Sequence, residues 1–327
     1  MIDEEADPQT LRHEIAGLEK RLRDAKAALK RKTAVFKELE NGDPASPGDG
    51  DGDDKEAPPP PPPPFLHLPP SNHALLLLSD SALPLGSFAF SSGLESYLSH
   101  TTTTTTTTTT SSPPQPTPPR AAATSLHRFL HLSLASLAAS SLPYALAAYR
   151  HPARLDALDD EFDAATPCAV ARRASVGLGR ALVGVWERAF RGGVAVGGGD
   201  AAGAVLDAFR SRLRGAGRGE GGGAVVNGHF PPLWGCVGRA MGLSLPQTAY
   251  VFLFNHVKAV LSAGVRASVV GPYQAHGVLA SPWVQGSVRD AMERGWNIEV
   301  EDAGQVVPVL DLYQGRHELL YSRIFNS

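Results

Sequence analysis

Apolar residues return every three or four positions in five separate blocks of this chain, and runs too simple in composition to hold a core divide those blocks. The blocks are Ala121 to Arg150, Cys168 to Phe190, Leu233 to Met241, Pro246 to Ala267 and Val284 to Arg294. Such spacing puts one apolar stripe along a 3.6-residue helix, which must be buried against another element. Strand signals are scarce, because β-branched runs are short and do not alternate with polar residues. The expected fold class is therefore all-α: a helical bundle domain, with an N-terminal coiled-coil helix and disordered low-complexity insertions.

The same pattern divides the chain. Residues 1–42 form a coiled-coil-like helical extension, in which Leu11, Ile15, Leu18, Leu22, Ala25, Leu29, Phe36 and Leu39 alternate spacings of four and three and Lys32 breaks the seam. Either a weakly dimerising coiled coil or a single solvated helix fits this pattern. Six of the seven lysines lie before residue 56, which marks the extension as an appendage. Residues 43–72 are an acidic and Pro-rich linker: Asp49, Asp51, Asp53 and Asp54 alternate with glycine before the run Pro58 to Pro64. The acidic run fails as a calcium loop, since Asp54 stands where the turn glycine belongs and Pro60 where the bidentate glutamate belongs. Residues 73–327 make the main helical domain, with low-complexity insertions at about 100–120 and 192–228. The second is glycine-rich, with room for a short helix around Val205 to Arg214.

Composition excludes several classes. The formal net charge of -3 and the lack of a basic stripe argue against nucleic acid. Cys168 and Cys236 are the two cysteines and form no CxxC, so two small buried thiols in a reducing compartment are expected. The acidic start has no apolar core of a secretory signal. Phe129 to Tyr149 is poor in charge but interrupted by serines and Pro143, so it reads as a buried core helix and not a membrane span. A cytoplasmic location follows as an expectation.

Catalytic motifs are missing. No Gly-Lys dipeptide exists to build a P-loop, and neither HExxH nor GxSxG occurs. His127 and His131 share one helix face, a spacing that could hold a metal with a third ligand from elsewhere or simply belong to a partly exposed helix. No catalytic, cofactor or metal residue is assigned.

The segment Leu75 to Leu98 is the most distinctive. Pro84-Leu85-Gly86 breaks the chain, and Ser87 is placed to cap a helix whose early turns carry Phe88, Phe90, Ser91, Ser92, Gly93 and Glu95. The run DSALPLGSFAFSSGLE resembles the N-terminal signature of the urease accessory protein UreF family. Three later blocks agree in order. ATPCAVARRASVGLGRALVGVW is similar to the family's middle helix. Residues 229 to 279 open with His229-Phe230-Pro231 and close with Gly264-Val265-Arg266 and Gly271-Pro272-Tyr273-Gln274, where Pro272-Tyr273 is an insertion relative to the bacterial form. The C-terminus RHELLYSRIFNS matches the family's ending.

The resemblance implies an all-helical, non-enzymatic adaptor, usually a homodimer. It would bridge a UreD/UreH-type protein and the GTPase UreG while nickel is loaded into the urease apoprotein. Nickel would be handled by the complex and not held as a firm cofactor. Two surfaces are expected to carry the contacts. The tail crowds apolar bulk into a terminus, and Arg316, His317, Glu318, Tyr321, Ser322, Arg323 and Phe325 would meet the UreD/UreH-type partner, unless the tail docks on its own domain. Glu95, Lys258, Arg266 and Gln274 would meet UreG or line a dimer cleft, unless they form only a solvated face. Two other roles stay open: stimulation of the GTPase through an arginine finger from Arg266 or Arg323, and a structural coiled-coil protein dominated by residues 10–40.

Overall fold

A computed structural model describes residues 70–106, 119–192, 200–216 and 226–326. They belong to a compact unit spanning Pro63–Ser327. The coiled-coil expectation for residues 1–42 and most of the linker at 43–72 lie outside the described residues.

Among the described residues the regular structure is entirely helical. The helices are α1 (Pro70–Ser79), α2 (Leu94–Thr106), α3 (Pro119–Ser140), α4 (Leu142–Arg150), α5 (Leu155–Ala165), α6 (Ala169–Val185), α7 (Asp200–Ala216), α8 (Phe230–Ala240), α9 (Leu245–Arg266), α10 (Pro272–Leu279), α11 (Pro282–Gly295) and α12 (Pro308–Arg316). A π turn, Trp186–Phe190, extends α6.

Proline sits in the first turn of α4 and of α8 to α12, where its missing N–H has no helical partner to lose. Helix α9 adds a capping box: Gln247 N–H donates to Ser244 Oγ at 3.3 Å, and Ser244 N–H donates to Gln247 Oε1 at 2.8 Å.

Helix α8 is the axis of the domain. Every residue from Pro231 to Gly238 is buried, with Trp234 Nε1–H donating to the Thr248 carbonyl at 3.0 Å. A helix apolar on all sides must be surrounded, and α4, α5, α6, α7 and α9 pack around it. Its closest neighbour is α4, and the approach needs glycine: a Cβ at Gly235 would lie inside the Ala145 carbonyl oxygen.

Several sequence expectations shift in detail. The block Ala121 to Arg150 divides into α3 and α4 at Ser141, ahead of Pro143. Helix α2 runs on through Thr106, with the Thr101 hydroxyl donating to the Tyr97 carbonyl at 2.8 Å, so helix enters the threonine tract. The short helix expected near Val205 is longer, Asp200–Ala216, and buries Ala202, Leu206 and Phe209 against the core. Ser87 does not cap a long helix. Gly86, Ser92 and Gly93 take positive φ (72°, 53° and 87°), which confines Ser87–Ala89 to one 3-10 turn. Helix α2 then starts at Leu94, with Glu95 N–H donating to Ser91 Oγ at 3.4 Å. Cys236 is buried as expected, whereas Cys168 is partly exposed at the N-terminus of α6; both are free thiols.

Two stretches, Thr124–Arg150 and Leu245–Arg266, are long and apolar enough to cross a membrane by composition. The first is divided between α3 and α4 and the second is α9, and 72% and 56% of their most apolar windows are buried in the domain.

Candidate functional site

Helix α12 and the tail beyond it return to the start of α2, where one carboxylate receives them. Glu95 Oε2 accepts from His317 Nε2 at 2.7 Å and from the Phe325 backbone N–H at 3.3 Å, while Oε1 accepts from the Ile324 N–H at 2.8 Å. Asn326 N–H donates to the Ala89 carbonyl at 2.8 Å. Residues 317 to 325 therefore form a loop whose two ends meet at Glu95. His317 and Phe325, at those ends, are buried. The guanidinium of Arg266 lies 4.4 Å from the Phe325 ring centroid, within cation–π range. Burial lowers the pKa of Arg266 below its ordinary value. Arg173 of α6 pairs with Glu318.

Between its ends the loop turns outward. Leu319 is 79% exposed, Ile324 is 63% exposed and Tyr321 is fully exposed. Arg316, Ser322 and Arg323 are also exposed. Phe88, at the 3-10 turn beside the docked chain end, is 67% exposed, and Leu312 on α12 is 65% exposed. Apolar side chains this exposed set the loop apart from a wholly polar, solvated face.

The two surfaces read from the sequence are thus partly one. Glu95 and Arg266 hold the tail instead of standing apart from it. Lys258 does not join them: its ammonium donates to the Ser79 carbonyl, and Asn255 Nδ2 donates to the Leu78 carbonyl at 2.9 Å, so both close the C-terminal end of α1. Desolvation pulls the Lys258 pKa below the usual lysine value, with Asp80 acting the other way. Gln274 caps α10 by accepting from Gly271 N–H at 3.2 Å.

A second constellation had His229, of the His229-Phe230-Pro231 block, as its one sequence signal. His229 is fully buried; its Nε2–H donates to Asp163 Oδ1 at 3.0 Å, and Nδ1 accepts from the Ser175 hydroxyl at 3.1 Å. Ser175 Oγ in turn accepts from Phe230 N–H at 3.1 Å. The hydrogen bond from Arg172 holds the Asp163 carboxyl below the usual carboxylate range, against its own desolvation and with help from His229. The row Ser175–His229–Asp163 has the residue types of a hydrolytic triad, but its hydroxyl is engaged at both ends and its imidazole has no exposed edge. It fixes the entry of α8, and that is the role the structure gives to the His-Phe-Pro signature.

A cavity of about 340 Å³ lies between α3, α6, α9 and α12. Ser133, Ser136 and Ser140 line it from one face of α3, opposite His256 and Asn255 of α9. His256 Nε2 is 3.0 Å from Ser133 Oγ, and burial pushes its pKa down to about 4, so the ring is neutral at pH 7. Among the described residues, no three His, Cys, Asp or Glu side chains converge as a metal-binding group.

The UreF family profile matches residues 121–282. The chain is 36% identical over 255 residues to an uncharacterized urease accessory protein UreF-like protein of Schizosaccharomyces pombe, covering 78% of this chain and 97% of that one. It is 28% identical over 254 residues to urease accessory protein F of Oryza sativa subsp. indica, covering 76% and 82%. It is 27% identical over 256 residues to urease accessory protein UreF of Paenarthrobacter aurescens, covering 78% and 97%.

Proposed function

The chain belongs to the urease accessory protein UreF family, and on that premise we propose that it is an adaptor that bridges a UreD/UreH-type protein and the GTPase UreG during nickel loading of the urease apoprotein. The family is accessory rather than catalytic and serves urease maturation together with other accessory proteins. Nickel is cargo of the assembled complex in this reading, and the protein works in the cytoplasm as a homodimer.

The observation that supports the adaptor role best is the C-terminal loop. It spends three hydrogen bonds on one carboxylate to hold its ends, yet leaves Leu319, Tyr321 and Ile324 in water. Burying apolar and aromatic side chains of this kind is what gives an interface its affinity. The loop, flanked by Arg316 and Arg323, is the surface for the UreD/UreH-type partner. Gln274 and the neighbouring Tyr273, which is 92% exposed on α10, are assigned to UreG or to a second copy of the chain.

The test is co-purification of the chain with each partner, followed by the nickel content of urease in cells lacking the gene. Retention of both partners and loss of urease nickel without the gene are expected. Failure to bind either partner removes the reading. Stimulation of UreG is the second role in view, because Arg323 is exposed and available as a finger while Arg266 is engaged with Phe325. UreG turnover with and without an Arg323→Ala chain separates it from simple bridging.

A further inference from the structure

We infer that the cavity between α3, α6, α9 and α12 is a binding site for a small uncharged molecule, with an apolar body and a hydroxyl or amide head that meets the Ser136 hydroxyl. The inference concerns the core of the domain and does not rest on the adaptor reading.

Size and lining come first. At about 340 Å³ the cavity falls within the range of small-molecule sites, about 300–1,000 Å³, and far exceeds the share of about 30 Å³ that one water takes in the liquid. Protein interiors are otherwise close-packed, and voids wider than a water are few. Short side chains keep the facing helices from filling the space: Ala174 on α6, Ala259 on α9 and the three serines on α3. Phe162, Phe230 and Phe252 add an apolar wall.

One polar group on the lining is not used by the chain itself. Ser136 is 9% exposed, and among the described residues its hydroxyl has no hydrogen-bond partner. Its neighbours on the same face are engaged: Ser133 Oγ donates to the Leu130 carbonyl at 3.1 Å and meets His256, and Ser140 Oγ donates to the Ser136 carbonyl at 2.8 Å. A helical serine can turn back to a carbonyl of the preceding turn. Ser136 does not, and a buried hydroxyl left unpaired is destabilising, so its pairing is one that a ligand supplies. The same lining disfavours charge. Desolvation moves its perturbed groups toward their neutral forms, His256 and Lys258 downward and Asp311 upward. Surroundings that oppose charge on their own side chains oppose it on a ligand as well.

The experiment uses the full chain, alone and together with its cognate UreD/UreH-type protein, and three probes of one shape: benzamide, benzoate and benzylammonium. Ligand-observed NMR titration reads the affinity of each. Benzamide should bind with a Kd of about 1 mM or tighter, as befits so small a probe, and the two ions at least about tenfold more weakly. Ser136→Ala removes the open hydroxyl without adding bulk and should weaken benzamide by about tenfold. Ala174→Leu fills the cavity from the opposite helix and should abolish binding; where that variant does not fold cooperatively, Ser136→Ala decides alone. Three results overturn the inference: no probe bound by either preparation, ions bound as tightly as benzamide, or benzamide bound equally well by Ser136→Ala. The first would leave the cavity to water alone.

Discussion

The fully buried carboxylate of Asp159 accepts the backbone N–H of His229 at 2.6 Å. The N–H groups of Asn227 and Gly228 point at the same carboxylate, at 2.6 and 3.0 Å. Three consecutive amides thus converge on one side chain where the chain enters α8. Replacing Asp159 with Ala leaves those donors without an acceptor inside the protein. The expected cost is about 3 kcal/mol or more, read as a drop in the denaturation midpoint with the slope unchanged.

Two glycines in helices should respond in opposite directions. A methyl at Gly235 collides with the Ala145 backbone, so Gly235→Ala must push α4 and α8 apart and should cost about 3 kcal/mol or more. Gly277, on α10, has open space around it. Gly277→Ala should stabilise by up to about 1 kcal/mol through helix propensity. Thermal unfolding of the two variants beside the wild type checks both signs.

Acidification should weaken the domain through His256. Its folded pKa of about 4 lies below the ordinary 6.5, so between these values the unfolded chain binds the extra proton. The neutral ring's contribution is whole above pH 6.5, declines as pH falls, and is gone near pH 4. The shift corresponds to at most roughly 3 kcal/mol. Asp163 adds a loss at lower pH, because its depressed carboxyl must also be protonated there. A His256→Gln chain should show a flatter stability curve between pH 6.5 and 4, while keeping the steeper fall below it.

The loop tip should carry affinity without carrying stability. Leu319 and Tyr321 are exposed, so their joint replacement by alanine should shift the melting temperature by no more than about 1 °C. Binding to the UreD/UreH-type partner should fall by about 30-fold, the effect of losing one hot spot of roughly 2 kcal/mol. Equal binding by this variant would move the interface elsewhere.

The helices were legible because their signal is local. Periodic apolar residues and first-turn prolines mark α6, α8, α9 and α11 within a few residues of where they lie. Helix α5 carries little such signal: Leu155, Leu158 and Phe162 are only three anchors among acidic residues, and two of those acids, Asp159 and Asp163, organise the entry of α8. The apolar bulk of the tail stands out in the sequence, as do Glu95 and Arg266 as polar residues beside apolar stripes. Their meeting was out of reach, since Glu95 and His317 are separated by 222 positions and no repeat or charge pattern links them. Lys258 illustrates the same limit: at helical spacing it shares a stripe with Arg266, yet it turns to the end of α1.

The glycine contact between α8 and α4 has a mechanical corollary. With no space for even one methyl group at Gly235, neither helix can rotate or ratchet past the other without a clash. The centre of the molecule therefore transmits force as a stiff strut. Proteins gripping it at separate faces would be held at a fixed spacing, and any give in the assembly would have to come from its peripheral segments.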